Sequence, residues 1–380
     1  MPEPENARLI YAASENCAEL WYESGFSAPD PFLWFECSGQ KAVVVSSLEF
    51  SRAQKECRAG TEVICTEDLK TRFGLREVPA YSASEHICAI SRSLGVNHWQ
   101  VPDNFPLGLA KKLARRRVRL STLSPFSPQR AIKTETEIAA IQEGVQLAET
   151  GLYRAELILR QSRIGKENLL FWQKEILTAD ILRGEIDAEI ARAGGIALGT
   201  ICAPGRQGAD PHQIGSGEIH AHEPIVLDIF PRSKRSGYHG DLTRTLVKGK
   251  ASDFVWKAFE AVQQAQTNAL EALKPGISGK DIHQRVVDLF KARGFETVTG
   301  GGVTPRGFFH STGHGLGLEI HEAPSLSPRN EAPLQPGHVV TVEPGLYYPE
   351  WGGIRLEDVA VLTCNGCRNL TKAPIYLEIQ

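Results

Sequence analysis

Five residues of this sequence carry side chains that together could hold metal ions: Asp228, Asp241, His314, Glu343 and Glu357. Each carboxylate stands in or beside an apolar, strand-like run: Val-Leu-Asp-Ile, Gly-Asp-Leu-Thr, Thr-Val-Glu-Pro and Arg-Leu-Glu-Asp. An ionised carboxylate in such surroundings is unfavourable unless it is paired or bound to a cation. His314 lies in the stretch 310–322, which holds three of the chain's eleven histidines and is threaded by Gly313, Gly315 and Gly317. Those glycines clear side chains from the backbone around the imidazole, so other groups can approach it. Taken singly, each carboxylate is equally well a salt-bridged or strand-end residue, and His314 a structural loop histidine. Taken together, four oxygen donors and one nitrogen suit two divalent ions bridged by carboxylates, a pair roughly 3.5–4 Å apart that activates a shared water. The absence of thiolates from the set favours manganese, cobalt or zinc over copper or iron–sulfur.

The positioning elements follow from periodicity. Residues 225–230 and 242–247 read as strands joined by a charged, turn-rich hairpin, which carries both aspartates. Residues 339–342 and 356–362 read as the strands that carry the glutamates. Residues 196–202 form a further strand, leading into a polar loop with His212. Thr134-x-x-Glu137 fits a capping box, and Ile138, Ile141, Val145, Ala148 and Leu152 recur on one face of the helix it opens. A second helix is expected over 168–193, with Phe171, Trp172, Ile176, Ile181 and Ile186 as core contacts. Two more are expected over 253–273 and 278–292, the last opened by Ser278-x-x-Asp281. Upstream, strands at 32–35, 42–45 and 62–65 with helices at 82–93 and 108–117 suggest a small α/β domain. Two Ser-Pro steps make 121–129 a linker.

Composition narrows the function classes. At 380 residues two domains are the default. Hydrophobic content of 42% with 23% charged residues is globular, and a net charge of −3 gives no bulk attraction to nucleic acid or membrane. No signal-peptide pattern opens the chain and no apolar run approaches the roughly 18 residues of a span, so a cytoplasmic protein is expected. The eight cysteines are scattered. Cys364-x-x-Cys367 lacks the second pair a zinc site would want, so free thiols are expected. The basic run 111–117 reads as a solvated helix face.

Residues 134–362 resemble the pita-bread metallopeptidases: Xaa-Pro aminopeptidase, prolidase, methionine aminopeptidase and the metal-free creatinase. The resemblance rests on the ligand order Asp, Asp, His, Glu, Glu within Gly-His-Gly-Leu-Gly, Thr-Val-Glu-Pro-Gly and Gly-Ile-Arg-Leu-Glu-Asp. It implies an α+β architecture: residues 1–128 as a creatinase-like α/β domain, then 129–380 as a curved antiparallel sheet covered by helices. It further implies two divalent ions per chain, manganese first, with cobalt or zinc as alternatives. His314 and Glu343 would serve one ion and Asp228 the other, with Asp241 and Glu357 bridging. Glu343 would also shuttle a proton from the bridging water to the leaving amine. His321 would steady the scissile carbonyl, and His212 would lie near the leaving nitrogen, with His220 and His222 as less well aligned substitutes. Arg355 would orient Glu357 or hold a substrate carboxylate. His310 matches the proline-selective branch. The implied activity is hydrolysis of the bond before proline at a peptide's N-terminus, by a homodimer.

One departure stands out. The family's two aspartates usually lie eleven residues apart in an Asp-x-Gly hairpin, whereas Asp228 and Asp241 are thirteen apart and Phe230 replaces the glycine. Two extra residues preserve strand parity, so both carboxylates are still expected on one face. Two other readings stay open: a non-catalytic binding protein on the same fold, and an amide hydrolase of non-peptide small molecules.

Overall fold

The computed structural model describes residues 7–74, 82–300 and 304–380. The chain divides into two compact units, Met1–Arg130 and Ala131–Gln380.

In the leading unit, five strands run Arg8–Ala12, Phe32–Cys37, Gln40–Val45, Thr61–Cys65 and His98–Val101, and a sixth, Arg119–Thr122, closes one edge of a mixed sheet. Apolar alternation along Phe32–Cys37 divides two cores: Leu33 and Phe35 pack with Trp99 and Ile87 on one face, Phe32 and Trp34 with Leu20 and Phe26 on the other. The basic run is a solvated face, as expected: the Leu107–Arg115 helix buries Leu113, and Arg116 beyond it pairs with Glu85. The 121–129 stretch is not a free linker. Phe126 is buried edge-on against Trp34, and Ser127 Oγ donates to Glu23 at 2.7 Å. An aromatic ring inside a Ser-Pro segment has apolar area to bury, and that outweighed the turn signal.

In the trailing unit, the Glu135–Gln161 helix opens on the expected capping box, with Thr134 and Glu137 satisfying each other's backbone donors. The Gly279–Ala292 helix opens on the Ser278–Asp281 box in the same way. The 168–193 helix is corrected. Leu170–Trp172 and Glu175–Ile176 form a β-hairpin through a turn in which Gln173 and Lys174 both take positive φ, and the helix spans only Ala179–Arg192. Its start is set by Thr178, whose side chain accepts from the Ile181 amide. Leu170, Leu177, Leu182, Ile186 and Ile190 supply the core contacts, while Phe171, Trp172, Ile176 and Ile181 are only half-buried.

Two sheets frame the site. The first orders Ile201–Pro204, Ile225–Asp228, Thr243–Lys248 and Glu378–Ile379; the second orders Glu322–Leu326, Gly313–Gly315, Val339–Val342, Asp358–Leu362 and Cys367–Asn369. The helices Glu135–Gln161 and Ala179–Arg192 share a core with the first sheet, and Asp253–Ala272 and Gly279–Ala292 share one with the second. All eight cysteines are free. No helix among the described residues is long and apolar enough to cross a membrane.

Candidate metal centre

Strand alternation decides which side chains reach the site. In the first sheet Ile201 pairs with Asp228, and Asp228 with Thr243. Directly paired residues share a face. Leu227, Ile229 and Cys202 turn to the opposite, helix-covered face, where they are fully buried. Asp241, two residues before Thr243, returns to the Asp228 face, and both carboxylates line one cavity of about 620 Å³. In the second sheet Val342 pairs with Asp358, so the next step along the ladder brings Glu343 opposite Glu357.

The glycines around His314 act on the backbone rather than the imidazole. A Cβ at Gly313 would fall 1.9 Å from the Thr341 carbonyl oxygen, and one at Gly315 2.5 Å from that of Ala323. Only bare backbone lets the neighbouring strands come this close.

The cavity is also lined by His212, His310, His314, His321, Arg355, Glu343 and Glu357. Every site residue named from the sequence, apart from the substitutes His220 and His222, therefore lines it. His314 Nε2 lies 3.3 Å from Glu343 Oε1 and 3.6 Å from Asp241 Oδ2. Its Nδ1 lies 3.1 Å from the Gly315 carbonyl, which can only accept, so Nδ1 carries the proton. Burial lowers its pKa, leaving a neutral ring whose Nε2 lone pair faces the carboxylates. His321 stands edge-on to that ring, centroids 4.3 Å apart. His212 is exposed at the rim, its backbone amide donating to Asp210. His220 and His222 bond instead to backbone groups of Glu167 and Lys250, away from the cavity lining.

Arg355 does not take the partner expected for it. Its Nη2 donates to Asp228 Oδ2 at 2.6 Å, and it reaches Glu357 only through Thr243, whose Oγ1 accepts from Arg355 Nε at 3.2 Å and donates to Glu357 Oε2 at 2.7 Å. It is also 4% exposed, so it is no surface salt bridge. Arg355 Nη1 meets the hydroxyl of Tyr347 at 3.0 Å, and that hydroxyl donates to His310 Nε2 at 2.9 Å. His310 Nδ1 donates to the Ser311 carbonyl at 2.7 Å. Burial and the Arg355 charge push His310 down to about 3, so it stays neutral with both nitrogens engaged. Tyr347 is thus a site residue that the motifs did not signal. A buried phenol requires a hydrogen-bond partner, but its partners lie 8 and 37 residues away.

The electrostatics are lopsided. Four carboxylates face one guanidinium. Burial, together with the charges of their neighbours, holds Asp241 and Glu357 well above the usual carboxylate range. Burial pushes Glu343 up to about 7, against the pull of Arg355 and with the push of Asp228. Asp228 Oδ1 is buried with no hydrogen-bond partner. Asp241, His314 and Glu357 each bring one ligand atom within 4.8 Å of the others. Excess buried negative charge, an orphaned oxygen and a neutral imidazole lone pair fit hard or borderline divalent cations.

The profile of metallopeptidase family M24 matches residues 133–364. The chain belongs to that family. It is 30% identical over 362 residues to an Xaa-Pro dipeptidase of Pyrococcus horikoshii, covering 93% of this chain and 90% of that one. It is 36% identical over 251 residues to YqhT, an uncharacterised peptidase of Bacillus subtilis, covering 66% of this chain but 65% of YqhT, just under two thirds. The X-Pro aminopeptidase of Thermotoga maritima superposes with a TM-score of 0.81 at 25% identity, over 99% of this chain and 97% of that one. The α+β, pita-bread fold expected from the resemblance of residues 134–362 is the fold observed.

Proposed function

We propose that this M24 chain is a dinuclear-metal exopeptidase that hydrolyses the N-terminal Xaa-Pro bond of dipeptides or short peptides. The observation that carries the reading is the excess negative charge of Asp228, Asp241, Glu343 and Glu357, faced by the single guanidinium of Arg355, around the His314 Nε2 lone pair. Those five residues would hold two divalent ions, manganese first, with cobalt or zinc as alternatives. Bound there, such ions supply Lewis acidity, lowering the pKa of water and polarising the scissile carbonyl.

The chain's own groups do the rest. Glu343 stands at the cavity wall where its carboxylate can take a proton from the attacking water and return it to the proline nitrogen. His321, edge-on beside His314, would donate to the carbonyl oxygen as negative charge develops there. His212, at the rim, is available to the substrate amide or leaving nitrogen. His310 has no free donor, since both ring nitrogens are engaged, and through Tyr347 it braces Arg355, which in turn anchors Asp228. In this reading residues 1–128 are a creatinase-like domain, 129–380 catalyse, and the enzyme is a cytoplasmic homodimer acting on peptides rather than nucleic acid or membrane. Eight free thiols suit a reducing compartment. Two of the three relatives, an Xaa-Pro dipeptidase and an X-Pro aminopeptidase, support the substrate class.

The test is release of the first residue from Xaa-Pro and Xaa-Pro-Xaa peptides by purified protein given manganese, cobalt or zinc. No turnover with any of them, in protein shown to hold metal, defeats the proposal. Turnover of the dipeptides alone makes the enzyme a dipeptidase.

A further inference from the structure

We infer that Phe230 forms the wall of the subsite receiving the side chain of the substrate's first residue, and that it restricts that residue to small aliphatic groups. The inference rests on the exopeptidase reading above.

The argument begins with strand parity. Ile201, Ala203 and Val226 share the face of the first sheet that carries Asp228, and the half-buried Phe230, two residues further on, packs against the cluster they form. Ile229, between the two, is buried in the opposite core. The Phe230 ring is therefore backed by fixed apolar groups, while its free side lines the cavity together with Ile201. A ring seated this way is a rigid wall, since displacing it would mean repacking the sheet face behind it.

Charge supplies the orientation. An exopeptidase substrate presents a free amine, a donor that needs an acceptor. Asp228 Oδ1 is a buried carboxylate oxygen of the site with no hydrogen-bond partner, and its two lone pairs let it accept from the amine beside the ion it would hold. The amine end of the substrate thus belongs at Asp228, and the side chain next to that amine meets Ile201 and Phe230. Both are apolar, so the subsite selects by size and not by charge. A benzyl group here occupies space that a small residue would leave to the substrate.

The test compares wild-type protein, Phe230→Ala and Phe230→Leu, each loaded with manganese, on Ala-Pro, Leu-Pro and Phe-Pro. Misfit of a few methylenes in an apolar pocket changes kcat/KM by roughly tenfold or more. The ratio of kcat/KM for Phe-Pro over Ala-Pro should rise about tenfold in Phe230→Ala, and less in Phe230→Leu. Calorimetric affinities for reduced-bond, uncleavable analogues of Ala-Pro and Phe-Pro should shift in the same direction. Circular dichroism and metal content identify any variant that has not folded, and the leucine variant then carries the comparison. A ratio that is unchanged or falls, in folded and metal-loaded variants, overturns the inference. If the wild type cleaves none of the peptides, the exopeptidase reading fails, and the binding ratio of the analogues still decides whether Phe230 is the size-limiting wall.

Discussion

Glu23 in the leading unit and Glu357 in the trailing unit expose the same 2% of their surface, yet their surroundings push their carboxyl groups in opposite directions. Glu23 accepts from Arg8 and Lys41, each at 2.9 Å, from Ser127 at 2.7 Å and from Gln129 at 3.1 Å. Burial alone would raise its pKa, but the bonds from Lys41 and Ser127 and the Arg8 and Lys41 charges outweigh it, so the net shift is downward. The Arg8 guanidinium itself lies over the rings of Trp34 and Phe126. Glu357 has one side-chain donor, Thr243, and three like-charged neighbours, while Arg355 is committed to Asp228. A buried carboxylate is therefore no sign of a site in itself. The missing counter-charge is what separates a site from a structural ion pair.

This contrast can be broken in four ways. The largest effect is expected at the crowded cluster. Asp241→Asn and Glu357→Gln should each reduce metal retention and turnover to background, yet raise the melting temperature of the metal-free protein, because an uncompensated buried acid is gone. Elemental analysis beside calorimetry checks both halves, and a lower metal-free melting temperature would show that the cluster is not frustrated. Manganese at a hundred times its Kd should stabilise the wild type by about 2.7 kcal/mol and leave both variants unmoved.

Next comes Tyr347→Phe, which cuts the link between Arg355 and His310. Loss of a partner that orients a ligand typically lowers affinity or activity roughly 10–100-fold. Here the loss should appear in kcat with the metal content intact, and His310→Ala should behave alike. Metal loss in either variant would contradict the bracing role.

Glu23→Gln should move stability the other way from Glu357→Gln, costing about 2–3 kcal/mol in denaturant unfolding. Its pH dependence has a definite sign. Because the folded pKa lies below the ordinary 4.5, the stabilisation is complete above 4.5 and drains away as pH falls through the lower folded value. The variant should lose that acid-limb slope. The smallest effect belongs to Lys41→Gln, at most about 1 kcal/mol, since that side chain is 37% exposed.

Where the sequence was legible, the reason is local. The alternation Ile225, Val226, Leu227, Asp228, Ile229 sets faces by covalent geometry alone, so parity is enough to judge the thirteen-residue spacing to Asp241. Thr134 and Ser278 announced their helices because a cap and its partner lie three residues apart. The segment 168–176 misled for the complementary reason. Its aromatic and branched residues fit a helical period, and its turn takes positive φ at Gln173 and Lys174 with no glycine to mark it. Arg355 was recognisable as a site residue, but its partner was not, because Asp228 lies 127 residues away along the chain.

The amino-acid order alone specified which donor types this chain owns, their succession, and the strand face each one takes, since all three follow from local backbone geometry. Only the folded chain decided where Arg355 spends its charge, that Tyr347 joins it to His310, and how much negative charge is left over between the sheets. Those outcomes depend on through-space distance and on exclusion of water, and neither is written in the spacing of residues along a chain.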